Sequence, residues 1–216
     1  MSFLDYLGSR WDELIELSIA HAIIVAISLA IATVLGVLVG AIVYSRRRAA
    51  SAVLNVTSTF LTIPSFALFG IMISIPFLGL GATSAIVALV LYALLPIVRN
   101  TVTGLQGVDP AVSESAAGMG LSARQRLLRV EMPLAWPVIL AGIRVSMLLI
   151  MGIAAIAAYI NVPGLGEPIF DGLGDIGTSR GPVQAWGGTL GIVVLALIFD
   201  AFLALLGKLT TSGGLK

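Results

Sequence analysis

The run AASAVLNVTSTFLTIPSFALFGIMISIPFLGLGATSAIVALVLYALLPIV, residues 49–98, contains no ionisable Asp, Glu, Lys, Arg or His in 50 consecutive positions. A helix needs about 20 apolar residues to cross the hydrocarbon of a bilayer, so this run is too long for one crossing and suits two. IPFLGLGAT, residues 75–83, supplies the turn between them: a proline and two glycines follow one another where apolar content continues but helix propensity collapses. The run therefore reads as two spans, 52–75 and 82–98, with Pro64 and Pro96 inside them. Membrane helices accept such prolines where neighbours satisfy the freed carbonyl, and the kinks serve packing or line a path.

The same logic extends to both sides. A first span covers 14–45, a fourth 136–160 and a fifth 186–206, which places the two termini on opposite sides of the bilayer. The 216 residues are 58% hydrophobic and 11% charged, with a mean hydropathy of +1.08, against roughly one-quarter charged residues in a soluble domain. The apolar runs are unbroken rather than alternating, which excludes an outer-membrane β-barrel. The fold class is thus all-α, a polytopic membrane protein of about five transmembrane helices forming one domain over residues 1–216. A net charge of +1 without a basic stripe excludes nucleic acid as a partner. The absence of cysteine removes disulfides, thiolate metal sites and cysteine nucleophiles together. Asp5, Asp12, Glu13 and Glu16 make an acidic head with no basic n-region, so the start reads as a retained first helix rather than a signal peptide.

Lysine and arginine accumulate on the cytoplasmic side of short loops. With Arg46, Arg47 and Arg48 inside, Arg99, Arg124, Arg126, Arg129, Lys208 and Lys216 fall inside too, nine against Arg10 and Arg180 outside. The N-terminus is then outside and the C-terminus cytoplasmic.

This topology puts the charged segment 107–135 on the cytoplasmic face. Asp109-Pro110 is an N-cap acceptor followed by a proline at the first helical position. The helix it opens carries Glu114 and the small residues Ser115, Ala116 and Ala117, and Gly118 and Gly120 turn or end it. Ser122 with Gln125 three residues on is a capping box for a second helix, which Pro133 stops. Such a pair of short helices suits either an interfacial helix held by anionic lipid or a docking surface for another protein. The fixed acid at Glu114 within a shallow patch favours docking, because anionic headgroups repel it.

ESAAGMG, residues 114–120, followed by Met132-Pro133, resembles the EAA signature of bacterial ATP-binding-cassette importer permeases. Glu114 matches the glutamate, Ala116 the second alanine, Gly120 the glycine and Pro133 the closing proline. Ser115 replaces the first alanine, and Ala117 stands where the osmoprotectant subfamily often has arginine. VEMPLAWPVILAGIR, residues 130–144, and NVPGLGEPIFDGL, residues 161–173, are similar to permeases for glycine betaine, choline and carnitine. The resemblance implies a MetI-like type I importer permease in the bacterial cytoplasmic membrane. It implies that Glu114, Ser115, Ala116, Gly118, Gly120 and Pro133 form a coupling segment seated in a separate cytoplasmic ATPase. It implies a second permease subunit, identical or homologous, and an external substrate-binding protein. This chain would bind no cofactor or metal, and the ATP would be used by the partner.

Other positions are weighed individually. GLGDIG, residues 172–177, spells a dinucleotide-type glycine string but follows no strand, and no GxxxxGK[ST] occurs, so the chain is not an enzyme that hydrolyses ATP itself. Those glycines read instead as a compact outer loop or a re-entrant turn against a partner subunit. Arg144, about two turns into the fourth span, either snorkels, pairs or gates, and Asp200 at similar depth in the fifth is a partner of opposite sign. His21 reads as an interfacial polar group, and Trp11, Trp136 and Trp186 as belt residues. No substrate-binding residue is readable. Three readings of function remain: an osmoprotectant importer permease, the same architecture carrying an amino acid or sulfonate, and a membrane scaffold that recruits a cytoplasmic protein without transport.

Overall fold

The computed structural model describes residues 2–210, so Lys216, counted above among the inside charges, lies outside the described residues. It is helical throughout, with no strand among the described residues. In chain order the elements are α1 (Phe3–Ser9), α2 (Trp11–Val43), α3 (Arg47–Thr62), α4 (Ser65–Ser74), α5 (Ala82–Gln106), α6 (Pro110–Gly118) and α7 (Ala123–Arg126). A π-helical turn (Leu127–Glu131) joins α7 to α8 (Met132–Ala154), a 3-10 segment (Ala155–Ile160) follows, and α9 (Gly166–Gly174) and α10 (Gly181–Thr210) complete the chain.

The core lies where α2, α5 and α8 pack against one another, around Val25, Leu89, Ile97, Ile139, Met147 and Ile150. Without a hydrophobic drive between helices in lipid, close approach of backbones must supply the association. Gly36 and Gly40 let α2 lie directly on α5: a Cβ at Gly36 would stand 2.7 Å from Ile97, and one at Gly40 2.6 Å from Thr101. On the other side of α5, a Cβ at Gly142 of α8 would meet the Pro96 carbonyl at 2.7 Å. α10 sits at the margin, with most of its apolar surface exposed.

Residues 52–75, read above as one span, are not one helix. α3 and α4 meet at a 99° bend. Pro64 offers no N–H and forces the residue before it out of the helical region, and Ile63 has φ −77°, ψ 127°. The Ile63 carbonyl is satisfied from outside the segment by the Tyr92 hydroxyl of α5, which donates to it at 2.7 Å. Pro96, by contrast, lies inside an unbroken α5.

At the end of the bundle opposite segment 107–135, one expectation is corrected and another gains detail. His21 is buried rather than interfacial, 2% exposed, with Nε2 3.1 Å from the Met151 carbonyl oxygen. Where α8 tightens, the Ala155 N–H bonds Gly152 and Ile153 rather than Met151; a carbonyl acceptor there fixes Nε2 as the protonated nitrogen. The glycine-rich stretch 164–177 packs within this chain: a Cβ at Gly164 would lie 3.2 Å from His21 of α2, and one at Gly172 2.4 Å from the Gly181 carbonyl oxygen of α10.

Candidate functional site

The segment 107–135 follows its capping residues closely. Asp109 accepts the Ala111 N–H at 2.9 Å at the start of α6. Its end is a complete Schellman closure, in which Gly120 N–H donates to the Ala117 carbonyl at 2.9 Å and Leu121 N–H to the Ala116 carbonyl at 3.2 Å. This closure requires left-handed backbone at its penultimate residue, and Gly120 has φ +84°. Two residues later Ser122 Oγ accepts the Gln125 N–H at 3.3 Å while Gln125 Oε1 accepts the Ser122 N–H at 2.9 Å.

Pro133 does not stop the second helix. Residues 123–160 run on as one continuous rod, and the turn before the proline widens to π geometry, with Met132 N–H reaching back to Leu127. A wider turn relieves the clash between a proline ring and the carbonyl four residues earlier, so the chain passes Pro133 without breaking. Ala116 also departs from expectation. It is 2% exposed and faces inward, so its small side chain seats α6 against the bundle rather than contributing exposed surface. Glu114, Ser115, Gly118 and Gly120 are exposed, as are the apolar Val112 and Met119 of the same segment.

Sequence reasoning missed the residue that ties this segment down. Glu131 is 5% exposed, and its carboxylate accepts three hydrogen bonds from three directions. Tyr44 at the end of α2 donates to Oε2 at 2.7 Å, Ser113 of α6 to Oε1 at 2.7 Å, and Arg126 Nε of α7 to Oε1 at 3.1 Å. Burial pushes this carboxyl up, but the bonds from Tyr44, Ser113 and Arg126, with the Arg126 charge, outweigh it and hold the carboxyl below its usual value. A depressed folded value means stability that is full above the ordinary carboxylate range and is lost as pH falls through the depressed one. Mild acidification therefore leaves the node intact. The Gln106 side-chain amide adds a bond at 2.7 Å to the Tyr44 carbonyl, joining the ends of α2 and α5. A cleft of about 340 Å³ opens beside the node, bounded by Tyr44, Pro110, Ser113, Glu114, Arg126 and Glu131. The available signal was that Glu131 is the lone acid between Glu114 and Glu167, at the foot of a long apolar helix.

Arg144 and Asp200 come together as a bidentate pair, Nε to Oδ1 at 2.9 Å and Nη2 to Oδ2 at 2.7 Å, linking α8 to α10. Their side chains are 40% and 32% exposed. Replacing one partner leaves the other charge alone at membrane depth, so Arg144→Gln or Asp200→Asn is expected to lower the melting temperature more than the double variant does. A double-mutant cycle on purified protein should give a coupling of about 1–2 kcal/mol; additive single effects would show that the pair holds nothing together.

The model of the family described as "Binding-protein-dependent transport system inner membrane component" matches residues 32–212. The chain is 36% identical to the choline transport system permease protein OpuBB of Bacillus subtilis (strain 168), over 99% of this chain and 95% of the relative. It is 37% identical to the osmoprotectant import permease protein OsmW of Salmonella typhimurium, over the full length of both. With the carnitine transport permease protein OpuCB of Listeria monocytogenes it shares 40% identity, over 90% of this chain and 83% of the relative. Among solved structures, an inward-facing conformation of the MetNI methionine ABC transporter superposes with a TM-score of 0.79 at 22% identity, covering 92% of this chain and 96% of that one. This likeness shows the fold, which is MetI-like.

Proposed function

Because the chain belongs to the family of binding-protein-dependent transport system inner membrane components, we propose that it is the multi-pass permease subunit of an ATP-binding-cassette importer for a quaternary-ammonium osmoprotectant such as choline, glycine betaine or carnitine. A separate cytoplasmic ATPase drives it, an external binding protein feeds it, and a second permease, identical or homologous, completes the path. The N-terminus is outside and the C-terminus cytoplasmic. The chain itself binds no cofactor; ATP is consumed by the partner.

The observation that carries this reading is the segment 107–135. α6 presents Glu114 and Ser115 outward, and its C-cap Met119 is 73% exposed, while Ser113 of α6 is bound through Glu131 to α2, α7 and the foot of α8. A stiff element with a free face and a tied face is a lever: force applied by an ATPase at the free face reaches the bundle as a rigid-body displacement. The cargo class is supported by relatives covered over 95% or more of their length and named for choline and osmoprotectants.

Reconstitution of the permease with its ATPase and binding protein in lipid vesicles tests the reading. ATP-dependent accumulation of choline, glycine betaine or carnitine is the expected result. Accumulation of an amino acid or sulfonate instead would change the cargo, and none at all would leave a scaffold.

Glu114→Ala tests the docking face. Glu114 is exposed, so the variant should fold and melt like the parent. Loss of one interfacial charge should nevertheless lower ATPase association and uptake by roughly tenfold, with the binding protein's affinity unchanged. Unaltered association and uptake would remove Glu114 from the interface.

A further inference from the structure

Three aromatic rings from three elements meet where the 47–74 segment breaks. Phe66, in the first turn of α4, lies 5.2 Å from Tyr159 at an interplanar angle of 77° and 6.2 Å from Phe170 at 86°. Tyr159 belongs to the 3-10 tail of α8 and Phe170 to α9, and their centroids are 6.1 Å apart at 53°. Edge-to-face packing of this kind stabilises a cluster, yet the cluster is not core: Tyr159 is 70% exposed and Phe66 48%. Their π surfaces are accessible from outside the subunit.

Two features of the surroundings say what could use those surfaces. The helix leading to the cluster carries Ser51, Asn55, Thr59 and Thr62 exposed at intervals of four, four and three, a polar stripe along one face of α3. An exposed amide such as that of Asn55 belongs against water or protein rather than hydrocarbon, while the Thr59 and Thr62 hydroxyls also bond back to the Asn55 and Thr59 carbonyls; beyond Arg47 and Arg48 at its far end, this face of α3 carries no charge. On the other side of the cluster, the charges nearest Phe170 in sequence are the acids Glu167, Asp171 and Asp175, with Arg180 ten residues on. The local field favours a cation.

We infer that Phe66, Tyr159 and Phe170 form a weak site for the trimethylammonium group of the cargo. The inference rests on the osmoprotectant reading above. A quaternary ammonium has no proton to donate, so hydroxyls and amides hold it poorly, whereas ring faces attract its diffuse charge. A site made of π faces without a carboxylate partner binds weakly and releases readily, which is what a passage needs after a tight external binding protein has delivered the solute.

The test uses the complete importer in vesicles, with choline uptake measured at equal permease abundance. Phe66→Leu and Tyr159→Leu keep apolar volume and remove the π faces, and each should cut uptake roughly tenfold, with binding-protein affinity unchanged. Phe66→Tyr and Tyr159→Phe keep the rings and should lose far less uptake than the leucine variant at the same position. If the leucine variants transport normally, or if the ring-retaining variants lose as much as they do, the rings are not an ammonium site. Should the leucine variants fail to assemble, Phe66→Trp in the permease–ATPase complex provides a second readout. Its fluorescence should respond saturably to choline and not to the uncharged isostere 3,3-dimethyl-1-butanol; an equal response to both, or none to choline, overturns the site. A parent importer that accumulates no quaternary ammonium compound while accumulating another solute instead overturns the cargo reading itself, and the site with it.

Discussion

Gly120→Val is expected to remove most ATP-driven uptake while leaving membrane insertion and abundance close to those of the parent. Gly120 stands at φ +84° in the Schellman closure of α6, and nothing lies within 4 Å of the position a Cβ would take. The penalty is therefore one of backbone conformation rather than collision, about 1–2 kcal/mol for an ordinary L-residue and more for a β-branched one. A closure strained by that amount reopens, which releases the Ala116 and Ala117 carbonyls and changes the angle at which α6 meets its partner. The segment is exposed and peripheral, so the bundle of α2, α5 and α8 keeps its packing. A graded series follows from the same cause: Gly120→Asn, whose side chain tolerates left-handed backbone, should retain most uptake, Gly120→Ala less, and Gly120→Val least. Uptake at matched protein level is the measurement. Parental transport by Gly120→Val would mean that the turn has no part in coupling.

The second large effect is expected at Glu131. Glu131→Ala strips the acceptor from the Tyr44 hydroxyl, the Ser113 hydroxyl and Arg126 Nε at once, and Arg126, only 30% exposed, loses its counter-charge. Removing a buried acceptor shared by three half-buried donors costs about 2–4 kcal/mol. The loss falls on the tie between α6 and α2, so the lever loosens at its root. The expected phenotype is an importer that still binds its ATPase and hydrolyses ATP but couples hydrolysis to uptake poorly, together with a lower melting temperature of the purified permease. Glu131→Gln, which keeps an acceptor oxygen but not the charge, should fall between. Tyr44→Phe removes a single bond and should cost about 1 kcal/mol. Glu131→Ala with unchanged melting and unchanged ratio of uptake to ATP hydrolysis would show that the node is ornamental to transport.

Much of this protein is legible from residue types in order. An all-α membrane fold follows from the length of charge-free runs, because only a helix satisfies its own backbone in hydrocarbon. Both ends of α6 and the start of α7 were also readable, since Asp109-Pro110, Gly120 and the Ser122/Gln125 box act over three to six residues and need no distant partner. Arg144 and Asp200 could be named as candidates for each other because depth in two adjacent apolar runs is itself a coordinate, although their bidentate contact depends on how α8 and α10 are rotated.

What lay outside the reach of the sequence were the features made by residues far apart in it. Pro64 announced a disturbance, but whether the chain kinks or turns by 99° depends on what receives the Ile63 carbonyl, and that is Tyr92, 29 residues away. Pro133 looked like a stop because proline removes one intrahelical bond; a π turn absorbs the defect and the rod continues into α8. Ala116 looked like surface because small residues make shallow surfaces, and packing turned it inward. Nothing within a few residues of Glu131 marks it as a node; Tyr44, 87 residues earlier, and Ser113, 18 residues earlier, reach it only in the fold. Local chemistry determines which elements form and how they are capped, because its forces act within a turn or two of the backbone. Tertiary structure alone decides which helices touch, which carbonyls find donors and which polar groups are buried together, because those partners are neighbours only after the chain has folded.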